Sequence, residues 1–251
     1  LAFLIGRALL RERNRNFPML VIIAVLWGVD AWFLEAIRRG DPALASRALA
    51  SGIGVVLLLV TIIGGRIVPS FTANALRQRG IAADIRTHAP VEAAVIGTMA
   101  LAVLVDALFP RHWLAGLVAA IAAAAQAARL AGWRSLRTLD EPIVWVLHAA
   151  YAWLPLGLAL KAAHLLSGAG WASHWQHALA IGVAATMIMS VTTRASLGHT
   201  GRPLVVTRAI AAAYALLLGA ALVRVFGPAL APASYLVTIE AAALLWIAAW
   251  A

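Results

Sequence analysis

"PIVWVLHAAYAWLPLGLALKAAHLL", residues 142–166, decides the fold. A helix needs about 20 apolar residues to cross the hydrocarbon core of a bilayer, and this run exceeds that. Barrel strands alternate polar and apolar positions, and this run is solidly apolar, so the segment reads as a membrane-crossing helix. It also carries a histidine, a tyrosine and a proline. His148, Tyr151 and Pro155 fall at i, i+3 and i+7, on one helix face. Ionisable groups inside a bilayer are costly and point to function by default.

Runs of the same kind recur along all 251 residues, which are 63% hydrophobic and 12% charged. A soluble domain is nearer half apolar and a quarter charged. The chain therefore reads as an all-α, polytopic transmembrane helical bundle of about eight spans, forming a single domain over residues 1–251. The spans are expected near 18–37, 43–63, 90–109, 112–131, 142–166, 174–193, 203–226 and 229–250. Pro90, Pro142 and Pro203 open three of them, at the helix position where a missing N–H costs nothing. "LAFLIGRALL" and "LLWIAAWA" read as interrupted apolar runs, so the chain is expected to be a piece of a longer protein, cut at both ends.

The chain has no cysteine, which excludes disulfides and thiolate metal sites. Any metal must be held by His, Met or carboxylate. The net charge of +10 reads as basic loops, not as a nucleic-acid surface. With the N-terminal segment cytoplasmic, 14 of the 20 lysines and arginines fall in inside loops: Arg7, Arg11, Arg13, Arg15, Arg66, Arg77, Arg79, Arg86, Arg129, Arg134, Arg137, Arg194, Arg202 and Arg208. Arg38, Arg39, Arg47, Arg111, Lys161 and Arg224 fall in outside loops and span ends. That bias sets the orientation and puts two polar stretches on the cytoplasmic side. They are "GGRIVPSFTANALRQRG" (64–80) and "RASLGHTGR" (194–202). Pro69 is expected to end or kink the second span, with Ser70, Thr72 and Asn74 capping helix ends or satisfying freed backbone groups. Gly198 is expected to close the sixth span, and Pro203 to start the seventh. Arg66 reads as a snorkelling residue or, with Arg194, as a fork for an anionic group.

The histidines separate into two tiers once the fifth and sixth spans fold as an antiparallel hairpin. His164, His174 and His177 form an outer tier; His148 and His199 form an inner one. Imidazole is the commonest metal ligand and the usual axial ligand of haem iron. Glu240 lies in the last span, as a proton relay or a partner of another polar group; Asp30, Glu35, Glu92 and Asp106 read as solvated residues near span ends.

"LHAAYAWLPLGLAL" (147–160), "HALAIGVAATMIMSVTTRASLGHTGRPL" (177–204) and "GGRIVPSFTANAL" (64–76) resemble the NnrS family of bacterial inner-membrane proteins. The resemblance covers almost the whole chain, as the later two-thirds of a family member. It implies haem and copper as cofactors and a link to nitric oxide metabolism and nitrosative stress. By position, His148 and Tyr151 fall on the family's His–x–x–Tyr pattern, and His177 on its "HAL" histidine. Arg194, Gly198, His199, Thr200, Gly201 and Arg202 fall on its loop signature. Arg66, Pro69, Thr72 and Asn74 fall on its other cytoplasmic motif, whereas His164, His174 and Glu240 match none of its patterns. The implied metal ligands are His148, His177 and His199, with the bilayer and nitric oxide or a related small molecule as partners. Two other readings stay open: a proton-coupled transporter using His148 and Glu240, and a structural subunit that positions a partner. No residue pattern marks a catalytic step.

Overall fold

The structure is a computed structural model that describes residues 17–83, 85 and 88–251, with side chains from residue 20 onward. Arg7, Arg11, Arg13, Arg15 and Arg86, which weigh in the orientation argument, lie outside the described residues. Eight helices are long and apolar enough to cross a membrane, and no strand occurs among the described residues. They are α1 (Phe17–Arg38), α2 (Pro42–Gln78), α3 (Ala89–Leu108), α4 (Trp113–Ala131), α5 (Pro142–Ser167), α6, α7 (Arg208–Leu230) and α8 (Tyr235–Trp250). The helix α6 is a composite: a first turn Trp175–His177, a π-helical stretch Ala178–Ala185, and an α-helical part Thr186–His199. Short 3-10 turns cover Ser135–Thr138, Gly170–Ala172 and Pro232–Ser234.

α5 sits at the centre and is the most buried span, packed by α2, α4, α6 and α7. α1 and α8 lie at the periphery, on α2 and α7, and turn apolar side chains such as Val25, Leu34, Leu244 and Ile247 outward. That is the expected inversion for a bundle whose solvent is lipid. Small residues let the central helices approach closely. A Cβ on Gly157 would come within 2.6 Å of Leu179, and one on Gly182 within 2.4 Å of Trp153. Both contacts join α5 to the π-helical stretch, where Thr186 Oγ1 donates to the Ile181 carbonyl at 3.0 Å.

Four expected boundaries move. Pro69 does not end the second span: α2 runs on as helix to Gln78. A mid-helix proline costs about 3 kcal/mol, and here burial of the same turn offsets it. Gly64, Gly65, Val68, Pro69 and Thr72 are all buried, and Thr72 Oγ1 donates back to the Val68 carbonyl at 2.8 Å. The polar stretch at 194–202 is not a loop either, because α6 stays helical to His199. The helix is closed by Gly201, not Gly198. Gly201 has φ 68°, its N–H donates to the Gly198 carbonyl at 3.2 Å, and the Arg202 N–H reaches the Leu197 carbonyl at 3.0 Å. This paired closure needs a left-handed residue, which glycine adopts without a Cβ penalty. Gly201→Ala is therefore expected to cost about 1 kcal/mol and Gly201→Asn less, read as shifts of the thermal midpoint in detergent. The seventh span starts at Arg208, not Pro203, because the Thr207 hydroxyl accepts from the Ile210 N–H at 3.3 Å and caps it. Pro90 and Pro142 do open their helices as expected.

Candidate functional site

The two polar motifs meet at one end of the bundle. The Arg194 guanidinium carbon lies 3.8 Å from the centroid of the Phe71 ring, joining the ends of α6 and α2. Ala75, Ile143 and Val144 pack there with Leu197 and Val206. Asn74, Gly198, His199, Thr200, Gly201 and Arg202 are exposed at this motif end, and Arg66 is exposed six residues further into α2 than Thr72. Asn74 accepts from Arg77 at 2.8 Å, and the Thr200 hydroxyl turns back to the Ser196 carbonyl at 2.7 Å.

His148 lies just beneath this surface and is only 4% exposed. Its Nε2 is 2.7 Å from Thr72 Oγ1 and its Nδ1 is 2.9 Å from Ser135 Oγ. The assignment that makes the most hydrogen bonds has Nε2–H donating to Thr72, Thr72 donating to Val68, and Ser135 donating to Nδ1. His148 thus ties α5 to α2 and to the 3-10 turn after α4. Trp133 stands edge-on to it, with ring centroids 6.2 Å apart, and 4.5 Å from the Tyr151 ring. The Trp133 Nε1–H is buried with no acceptor among the described residues, which costs about 1–3 kcal/mol unless something bound there accepts it.

One turn further along α5, Tyr151 enters a closed network. Its hydroxyl donates to Gln126 Oε1 and accepts from Arg129 at 3.0 Å. Gln126 Nε2 donates to Thr61 Oγ1 at 3.1 Å, and the Thr61 hydroxyl donates to the Leu57 carbonyl at 2.8 Å. Arg129 also donates to the Thr61 carbonyl at 2.7 Å and clasps Glu92 with two N–H groups, Nε lying 2.9 Å from Oε1. The Arg129 side chain is 2% exposed, and its guanidinium lies flat on Gly65, where a Cβ would sit 1.7 Å from a guanidinium nitrogen. In an apolar bundle such a network holds only when every member is satisfied.

Several expectations are corrected here. Arg129 is not a loop cation, and Glu92 is not merely solvated: they form a largely buried ion pair. Asp106 and Lys161, read as span-end residues, also pair with each other, the Lys161 side chain being 3% exposed. A usable signal did exist for α4. Gln126 and Arg129 fall at i and i+3 in an alanine-rich run, one polar face pointing inward.

The other histidines lie apart from His148. His174 and His177 stand at the opposite end with ring centroids 6.0 Å apart, and Arg224 is 3.4 Å from His174 Nδ1. His164 Nδ1–H donates to the Ala169 carbonyl at 3.2 Å. No hydrogen bond or ring contact joins His199 to His148. No group of three or more His, Asp or Glu gathers to hold a metal among the described residues. Glu240 is exposed on α8, with no hydrogen bond or ion pair to another described residue.

No curated protein matches the chain, and no solved structure does. The family model described as NnrS protein matches residues 1–251. This multi-pass helical membrane chain therefore belongs to the NnrS family, whose members are linked to nitric oxide.

Proposed function

We propose that the chain is a haem- and copper-binding protein of the nitric oxide response in the bacterial inner membrane. In this reading metal is held by histidines within the bundle and the motif end faces the cytoplasm. The observation that carries it is the family match over residues 1–251.

The donors at the motif end fit such a group in chemistry. With a metal on Nε2, His148 would turn its Nδ1–H toward Ser135, the outer hydrogen bond that metal-ligating histidines use. Thr72 would keep its bond to the Val68 carbonyl. The unpartnered Trp133 N–H would gain an acceptor on the bound group. Haem, when bound, supplies an iron to which nitric oxide attaches directly. Arg129, Glu92 and Gln126 hold Tyr151 in place and wall the site from the rest of the bundle. Arg66 and Arg194 are suited to propionates by forked hydrogen bonds. His177, whose ring makes no hydrogen bond among the described residues, would serve a second metal level, copper, with His174 beside it. His199, exposed in the 194–202 motif, is the third imidazole of this proposal.

The test is an ultraviolet–visible spectrum of the detergent-purified full-length protein, oxidised and then dithionite-reduced, with metal analysis of the same sample. A Soret band that shifts on reduction is expected, lost in His148→Ala if the inner level holds haem and in His177→Ala if the outer level does. Thermal midpoints recorded alongside separate bleaching from unfolding. A colourless, metal-free protein sinks the reading.

A further inference from the structure

A cavity of about 570 Å³ opens at the end of the bundle opposite the motifs, between α2, α3, α5 and the start of α6. We propose that it binds an organic anion, a carboxylate on an apolar body. His164 lines it too, whereas His148, His177, His199 and the residues of the two motifs do not.

Charge comes first. Arg47, Arg111 and Lys161 line the cavity against one carboxylate, Asp106. Lys161 is the deepest of the cations. Its ammonium has three N–H donors, and both of its hydrogen bonds go to Asp106. At least one donor is left without an acceptor among the described residues, beside the Trp175 ring at 5.0 Å. A lysine kept this deep among apolar helices is costly, and an ion pair alone seldom repays the cost. An anion in the cavity would take the free donor and add the counter-charge that one aspartate does not supply.

Size and floor set the rest of the ligand. Pockets of about 300–1,000 Å³ take small organic molecules, so the volume is far more than a halide or a water needs. Leu57, Met99, Leu158 and Leu179 make the deep wall apolar. The rim carries the two arginines. Arg47 is fixed by a 2.9 Å hydrogen bond to the Ala107 carbonyl, and Arg111 is held at φ 65°. Non-glycine residues in that region are uncommon and gather at ligand-binding positions. The wall contributed by α6 comes from Trp175 and Gln176 in its first turn and from Leu179 in the π-helical stretch. Such stretches inside helices are frequent at functional sites. Cationic rim, unsatisfied deep ammonium and apolar floor together describe an amphiphilic carboxylate with its charged end toward Lys161.

The experiment is fluorine NMR titration of the full-length protein in detergent with 4-(trifluoromethyl)benzoate, and with the corresponding benzamide. Saturable binding of the acid is expected, with the amide weaker by about tenfold or more, the loss of one charge-assisted contact. Lys161→Met alone strands Asp106, so the informative variant is the pair K161M/D106N, which removes both charges together. It is expected to weaken the acid about tenfold and leave the amide unchanged. Arg111→Gln at the rim should weaken the acid at low salt and matter less at high salt. Competition with dodecanoate and with butyrate tells the source: the former displacing at lower concentration marks a bilayer-derived ligand, the latter a soluble one. Equal binding of acid and amide, unchanged acid binding in folded K161M/D106N, or no saturable binding of either overturns the proposal. All of these readouts are independent of haem or copper content.

Discussion

Gly65→Ala is expected to lower stability by about 3–5 kcal/mol, the largest effect of any single methyl group here, read as a steep fall of the thermal midpoint in detergent. The added carbon would sit 1.7 Å from an Arg129 nitrogen, so one of the two must give way. Elsewhere a long side chain would swing aside at little cost. Here the guanidinium is pinned by Glu92, the Thr61 carbonyl and the Tyr151 hydroxyl at once. Moving it breaks a buried ion pair and two further hydrogen bonds, and broken buried pairs cost that much. Gly64→Ala, one residue earlier, is the control. Its Cβ would meet Tyr151 ring atoms at 3.5 Å, an ordinary contact, and a small effect is expected. Equal midpoints for the two variants would show that the guanidinium is not fixed as described.

Arg129→Met should cost a similar amount, again about 3–5 kcal/mol, because it strands Glu92 and leaves the Thr61 carbonyl and Tyr151 hydroxyl without their donor. Two double variants identify the cause. R129M/E92Q should recover a large part of the loss, since no unpaired carboxylate remains. G65A/R129M should be no worse than Arg129→Met alone, because the atom that clashes with the new methyl is gone. Additive losses in that second pair would mean that Gly65 matters for a reason other than the guanidinium laid on it. The measurements are thermal midpoints or denaturant midpoints on protein in the same detergent.

The spans were legible because length and apolar content alone nearly dictate a membrane helix. The placement of α5 from Pro142, down to its left-handed Gly168 cap, follows from one proline, one apolar run and one glycine. The ends at the motifs were not legible, and the reason is physical. Polar sequence was equated with loop, yet "RASLGH" is helix to His199. Long side chains such as Arg194 can find an aromatic face without unwinding the backbone. Pro69, as an end to the span, misled for the complementary reason. Its local penalty is fixed, whereas burial of its turn against α4 and α5 is a long-range matter. The same holds at the candidate site. His148 and Tyr151 announced themselves as polar residues in hydrocarbon. Their partners Thr72, Ser135, Gln126 and Arg129 come from three other stretches, and only the fold brings these together. Lys161 and Arg129 were assigned to water because hydropathy averages round a helix and cannot tell its inward face from its outward one.

The wide stretch Ala178–Ala185 also sets the phase between the two halves of α6. A π turn takes up a surplus residue locally, so removing one residue there would restore the regular repeat with the downstream half nearly in phase, whereas removing one between Thr186 and Arg194 would turn everything downstream by about 100° about the helix axis. The histidine end would stay where it is, and the arginine that rests on Phe71 would swing away from it. The wide stretch is thus where the helix absorbs a change of length without a change of angle. Single-residue insertions or deletions in the regular part beyond it are the most economical way for sequence change to uncouple one end of the bundle from the other.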